Sequence, residues 1–184
     1  LDDSLITLKL TPNRGDCLSL RGIAREVAIL TGAALKVPEV AAVKSALSDK
    51  RGIRLQDPAA CPRYCGRIIR GVDAKAATPQ WMLQRLERCG LRSVSAIVDV
   101  TNFVMLETGQ PLHAFDNRMI EGDVVVRFAR GGERLKLLNG QDVELTPDIL
   151  LIADGEKPLA LGGVMGGGAS AVSEGTTEVF LESA

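Results

Sequence analysis

The sequence predicts an α+β (mixed α/β) chain: an open mixed sheet with flanking helices, preceded by a small strand–helix piece of a second domain. Three observations carry this. Apolar residues recur at helical spacing in three separate stretches, the last ending at Gly109. Short strand-like runs divided by turn signals then fill residues 123–182, and helices followed by several short strands argue for α+β packing. Finally, 184 residues with a 46% hydrophobic and 24% charged share describe one ordinary soluble domain, with or without an appendage. Disorder, collagen and coiled coil are excluded.

Leu5–Leu10 alternates as a half-buried strand would, and Thr11-Pro-Asn-Arg-Gly-Asp16 reads as a turn. Asp16 or Ser19 can cap a helix carrying Leu20, Ile23, Ala24, Val27 and Leu30, with Gly32 as its C-cap. One strand and one helix cannot close a core, so this piece must pack on other sequence. Residues 36–50 read as a linker, with a short helix as the alternative. Ile53–Gln56 and Tyr64–Val72 are strand candidates. Thr78-Pro79 opens a second helix, with Trp81, Met82, Leu86 and Cys89 facing inward and Gly90 ending it. Ser93 or Ser95 caps a third, which runs to Gly109. Asp123–Arg130 is a strand. Glu133–Leu138 and Gln141–Leu145 flank Asn139-Gly140, which favours a two-residue type I′ hairpin. Ile149–Ala153, Pro158–Leu161 and Glu178–Glu182 complete the set.

A formal net charge of −1, from 22 basic and 23 acidic side chains, speaks against binding nucleic acid by electrostatics alone. A small or shape-led RNA contact stays open. No apolar run approaches the ~20 residues that span a bilayer, and Leu1-Asp2-Asp3 does not open a signal peptide. Cys17, Cys61, Cys65 and Cys89 lack paired CxxC spacing, which predicts reduced thiols in a cytosolic protein and no zinc site. The missing initiator Met and the strand-like ending at Phe180-Leu-Glu-Ser-Ala184 predict an excised fragment of something larger.

Four places could carry chemistry. Gly109 and Pro111 break the third helix and set a bend that presents His113, the only histidine, beside Phe115 and Asp116. An imidazole can exchange a proton near neutral pH, although a histidine hydrogen-bonded for structure has the same sequence. Pro158–Gly168 runs an apolar strand into five glycines within seven residues. Such glycines let a backbone approach a ligand closely, or simply form a loop or bulged hairpin. The spacing is neither a P-loop nor a dinucleotide fingerprint. Arg92, read at the start of the third helix, opposes the helix dipole and so either faces an anionic or carbonyl ligand or stands in solvent. Glu182, among apolar neighbours in a strand, points to solvent or into a pocket where it needs a donor. No nucleophile triad assembles around these residues. A hydrolase using water, a binding pocket and a structural module all survive.

These motifs occur together in one family. Thr11-Pro-Asn-Arg-Gly-Asp-Cys-Leu-Ser-Leu-Arg-Gly-Ile-Ala-Arg-Glu26, Val98-Asp-Val-Thr-Asn-Phe103, Gly109–Asp116, Leu161-Gly-Gly-Val-Met-Gly-Gly167 and the terminal Leu-Glu-Ser-Ala resemble, in order, the beta chains of bacterial phenylalanyl-tRNA synthetases. The resemblance implies that residues 1–38 are the second half of an N-terminal domain that the family interrupts with a tRNA-binding OB-fold. Residues 39–48 are then a linker, and 49–184 an editing module that stops short of a further pocket-lining stretch.

It also implies a cytoplasmic enzyme in which the module hydrolyses tyrosine wrongly joined to tRNA(Phe). An alpha chain, paired in a heterotetramer of two alpha and two beta chains, holds the aminoacylation site and its ATP and Mg²⁺. The fragment itself needs no cofactor or metal. Residue by residue, the resemblance assigns His113 and Arg92 to catalysis, and Glu182, Pro111, Gly162, Gly163 and Gly166 to the substrate. The physics agrees: an apolar synthetic pocket cannot strongly reject an added hydroxyl, so a proofreading site must select that hydroxyl by a hydrogen bond. The alternative is a non-catalytic interface that docks the tRNA end.

Overall fold

The computed structural model describes residues 4–184, so Leu1-Asp2-Asp3 and the signal-peptide reading made on it lie outside the described residues. The chain forms two compact units, Leu1–Ala46 with Ala77–Pro111 and Leu47–Ala76 with Leu112–Ala184. Among the described residues every α-helix belongs to the first unit and every strand to the second. The mixed α and β composition is as expected. The grouping is not linear, because 77–111 packs with the N-terminal part and not with the strands that flank it in sequence.

In the first unit, α1 (Leu20–Thr31) starts at Ser19, whose Oγ accepts from the Gly22 N–H, and ends at Gly32 with φ 71°. Both caps were legible in the sequence. Gly22 is buried because the turn before the helix crosses it: a Cβ there would lie 1.8 Å from the Asp16 carbonyl oxygen. The strand expected at residues 5–10 does not form. Leu5 and Ile6 are 70% and 81% exposed, and alternation alone cannot supply the neighbouring strand a ladder needs. α2 spans Gln80–Arg88 and buries Met82 and Leu86. Cys89 and Trp81 are exposed, contrary to the inward reading, although Trp81 meets Phe103 edge-on at 5.2 Å. α3 (Ala96–Thr108) is capped by Ser95 and stopped by Gly109 at φ 83°.

The reading of Thr78 as a cap also fails. Its Oγ1 donates instead to Asp99 at 2.6 Å, and Ser93 Oγ donates to the same carboxylate oxygen at 2.6 Å. The Val94 N–H reaches the other oxygen at 3.0 Å. Asp99 is fully buried, and these donors tie both helix entrances to one point. Burial pushes its pKa up, but the bonds from Ser93, Thr78 and Val94 outweigh that and hold it below the ordinary carboxylate value.

The second unit contains β1 (Ile53–Leu55), β2 (Cys65–Arg70), β3 (His113–Asp116), β4 (Val124–Phe128), β5 (Arg134–Lys136), β6 (Asp142–Glu144), β7 (Leu150–Ala153), β8 (Pro158–Leu161), β9 (Met165–Gly166) and β10 (Glu178–Ser183). The single open sheet that was expected is divided into sheets ordered β1-β4-β7-β8-β9, β2-β10-β3 and β5-β6. The first is mixed, with β1 parallel to β4 and the other pairs antiparallel. Division has a physical cause. Tyr64, Phe115 and Phe180 from the three-stranded side join Val124, Val126, Ile152 and Leu159 from the five-stranded sheet in one buried cluster, so both apolar faces are covered.

The β5–β6 connection is not the expected type I′ turn, which requires positive φ at both central residues. Among the described residues only glycines have positive φ, and here Gly140 alone does, at 86°. The Gly140 N–H closes on the Leu137 carbonyl and the Leu137 N–H on the Gln141 carbonyl, giving a three-residue loop with a glycine bulge.

Candidate active site

β10 lies between β2 and β3, and its register decides which side chains share a face. Phe180 is paired with Phe115 and Ile68, and two residues on, Glu182 is paired with His113 and Gly66. Directly paired residues point to the same side, as do residues two apart in a strand. Glu182 and His113 therefore stand side by side at the end of the face whose other end, Phe115 and Phe180, is buried core. Both are half-buried.

Each keeps hydrogen-bonding capacity in reserve. Glu182 Oε2 accepts from the Tyr64 hydroxyl at 2.9 Å, and among the described residues no group donates to Oε1. The imidazole of His113 packs edge-on against Phe115, with centroids 4.4 Å apart, and its Nε2 is buried with no partner. Such an orphan costs about 1–3 kcal/mol, which a bound group able to hydrogen-bond there would recover. Burial pushes the Glu182 carboxyl up to about 7, opposed in part by the Tyr64 hydrogen bond. Burial lowers the His113 pKa and, helped by the adjoining Glu182, raises that of Tyr64. Near neutral pH the imidazole is uncharged and the carboxyl is poised between its two forms.

The glycine-rich segment closes over the histidine. It is neither a helix entrance nor an open loop but the β8–β9 hairpin, with Gly163 at φ 70° in its turn. The Gly162 N–H is committed to the Leu150 carbonyl at 2.8 Å. A Cβ on Gly166 would lie 2.5 Å from Cε1 and 2.8 Å from Nε2 of His113. Only glycine lets the strand lie on this ring. Leu138, at the tip of the β5–β6 hairpin, donates its N–H to the Gly166 carbonyl at 3.0 Å and fixes that strand from the other side.

The second unit thus brings together His113, Glu182 and Gly166, with Gly162 and Gly163 in the adjoining turn. His113 opens a strand and does not sit in the loop where it was expected. Arg92 and Pro111 belong to the first unit. Arg92 is exposed in the loop before α3, three residues ahead of the Ser95 cap, so it does not stand against a helix dipole. Pro111 is exposed just beyond the α3 cap. Asp116, close to His113 in sequence, faces other work: it is buried and accepts from Thr176, from the Arg118 side chain and from the Arg118 N–H.

Sequence reasoning passed over Tyr64, taken only as the first residue of a strand. The available signal was rarity, since it is the only tyrosine of the chain. Among the described residues, the one close group of possible metal ligands is Asp16, Cys17 and Glu26 in the first unit. The Arg14 guanidinium already lies among them, 3.0 Å from Asp16, 2.6 Å from Glu26 and 2.9 Å from the Cys17 sulfur. A resident cation there makes the group an ion-pair cluster.

Residues 60–184 match the family model described as the B3/4 domain. The chain belongs to the B3/4 domain family. It is 59% identical, over its whole length, to the phenylalanine--tRNA ligase beta subunit of Aromatoleum aromaticum, 58% to that of Dechloromonas aromatica and 52% to that of Yersinia pestis. It spans 23% of the length of each of these relatives. Its fold resembles an N-terminal fragment of the phenylalanyl-tRNA synthetase beta subunit from Pyrococcus horikoshii, with a TM-score of 0.54, 16% identity, and coverage of 93% of this chain and 52% of that one. Among the described residues no helix is long and apolar enough to cross a membrane.

Proposed function

We propose that this chain is the editing part of a phenylalanine--tRNA ligase beta subunit, and that it hydrolyses Tyr-tRNA(Phe) by attack of water on the aminoacyl ester. The observation that carries the reading is the facing pair Glu182 and His113, each half-buried and each holding an unused hydrogen-bonding atom. Glu182 Oε1 accepts the phenol of a tyrosyl group. A phenylalanyl group leaves that acceptor unpaired, at a cost of about 1–3 kcal/mol or more when it is ionised. His113, uncharged, offers Nε2 to the attacking water or to the substrate amine once the ring or Gly166 gives way. Gly162, Gly163 and Gly166 shape the slot for the ring.

In the whole enzyme, residues 49–184 act as the module and 1–38 as part of a neighbouring domain. The alpha chain supplies the ATP- and Mg²⁺-dependent aminoacylation. Ester hydrolysis requires neither cofactor. The test is deacylation of Tyr-tRNA(Phe) and Phe-tRNA(Phe) by the intact ligase carrying Glu182→Gln or His113→Ala. Glu182→Gln is expected to cut the preference for the tyrosyl ester by at least tenfold. His113→Ala is expected to slow hydrolysis about a hundredfold. Unchanged preference and rate in both variants would leave the chain as a docking module for the tRNA end.

A further inference from the structure

The Tyr64 hydroxyl makes, from the protein side, the contact that a tyrosyl substrate makes in the reading above: a phenol donating to Glu182. It lies 2.9 Å from Oε2, while Oε1 is left to a ligand. The surroundings give it this task without competition. Gly66, directly opposite Glu182 on β2, carries no side chain, and a Cβ there would strike the Phe180 ring at 2.2 Å. Tyr64 itself is 8% exposed and packed in the core cluster with Cys61, Phe115 and Phe180, so its ring is held by its neighbours and its hydroxyl has one direction to point. A carboxylate on a flexible stem does not choose which oxygen it presents. One tethered by a rigid phenol does.

We infer that Tyr64 is a specificity-determining positioning residue, which holds Glu182 by one oxygen so that the other faces a substrate hydroxyl. The inference rests on the editing reading and deepens it. Tyr64 touches no reacting atom and acts only through Glu182. Its donation also favours the charged carboxylate, which binds a phenol more strongly than the neutral acid does. The titratable groups facing Glu182 are Tyr64, leading into β2, and His113 from β3; Cys61 shares the buried cluster with Tyr64. His113 titrates below its ordinary value because it is buried, so its ionisation falls on the acid side of that of Glu182.

The experiment compares intact ligase with Tyr64→Phe, Glu182→Gln and the double variant, measuring KM and kcat on Tyr-tRNA(Phe) and Phe-tRNA(Phe) from pH 5.5 to 8.5. Tyr64→Phe is expected to raise KM for the tyrosyl ester about tenfold, the worth of one hydrogen bond to a charged group, with kcat held within about twofold. The rise in tyrosyl preference with pH is expected to move to higher pH, since the donor that favoured the ionised acid is gone. In the Glu182→Gln background Tyr64→Phe is expected to add nothing. Replacing Tyr64 with 3-fluorotyrosine, which keeps the ring shape and donates more strongly, is expected to move the pH midpoint the other way. This gives a readout should the phenylalanine variant fold poorly. If Glu182→Gln loses the preference while Tyr64→Phe and the fluorinated side chain change neither KM nor midpoint, the role of Tyr64 is overturned and the editing reading stands. Additive effects in the double variant also overturn it. If Glu182→Gln changes nothing, Glu182 does not select the tyrosyl ester and this inference falls; if His113→Ala also leaves the rate unchanged, the editing reading falls with it.

Discussion

Asp99 in the helical unit and Glu182 in the strand unit are both carboxylates withdrawn from water, yet their surroundings treat them in opposite ways. Asp99 receives two hydroxyls and a backbone N–H, and its charge is held in place. Glu182 receives one hydroxyl and keeps an oxygen free, and its charge is resisted by burial. The first arrangement uses both carboxylate oxygens to join Thr78, Ser93 and Val94 around the start of α3. The second leaves capacity unspent at a cost in stability. A buried acid whose bonds are all made serves the fold, whereas one left half-bonded beside an orphaned imidazole is suited to meet something else.

The largest expected effect breaks the first arrangement. Asp99→Ala removes a fully buried acceptor from two half-buried hydroxyls and the Val94 N–H, and should cost about 3 kcal/mol, since a hydrogen bond to a charged group contributes about 1.5–3 kcal/mol. Glu182→Gln keeps an acceptor for Tyr64 and, at about pH 4 where the carboxyl is protonated in both states, should change stability by less than about 1 kcal/mol. Urea unfolding of the chain measures both. Trp81, its only tryptophan, lies in the helical unit and reports Asp99 directly. Equal losses in the two variants would erase the distinction.

The next effect is one of sign. The folded-state pKa of Asp99 is lowered, so its stabilisation is present above its unfolded value of 3.8 and is lost as pH falls through the folded value. Glu182 rises from 4.5 to about 7, so the folded state binds the extra proton and stability is lost as pH climbs from 4.5 to about 7. The shift corresponds to a change of about 3 kcal/mol. His113, lowered by burial, works the other way and loses stability as pH falls below 6.5. Glu182→Gln removes only the middle contribution. Its unfolding free energy should match that of the unaltered chain at pH 4 and exceed it by about 3 kcal/mol at pH 8. A constant difference between the two across that range would show that Glu182 is not held in this way.

The contrast also explains what could be read from sequence. Helix caps are local: Ser19, Gly32, Ser95 and Gly109 signal their own positions, and all four serve as read. Thr78 carries the same signal as a cap but is claimed by Asp99, 21 residues away, which no local pattern contains. Strand periodicity gave most elements of the second unit but not the division into sheets, because alternation says which face is apolar and not which strand lies beside it. His113 and Glu182 were legible as chemistry-bearing residues within matching motifs, while their pairing depends on the β3–β10 register. Tyr64 reaches Glu182 across 118 residues and has no motif of its own.

The smallest effect tests how sharply the half-bonded region differs from the fold that supports it, using two adjacent glycines. A Cβ on Gly167 would lie 2.5 Å from the Leu159 carbonyl oxygen, and backbone in a paired strand cannot step aside. The nearest atoms to a Cβ on Gly166 belong to side chains, the His113 ring and the Leu138 Cδ1, which can rotate away. Gly167→Ala should therefore cost about 2 kcal/mol and Gly166→Ala nearer ~1 kcal/mol, both as overpacking. The order should reverse at the histidine. Gly166→Ala displaces the imidazole from its buried seat, exposes Nε2 to water and returns the His113 pKa toward 6.5, followed by NMR titration of this single histidine. Gly167→Ala should leave that titration where it was. If both substitutions move it equally, the hairpin and the ring form one rigid block, and Nε2 is sealed by the fold as a whole and not by the one glycine lying on it.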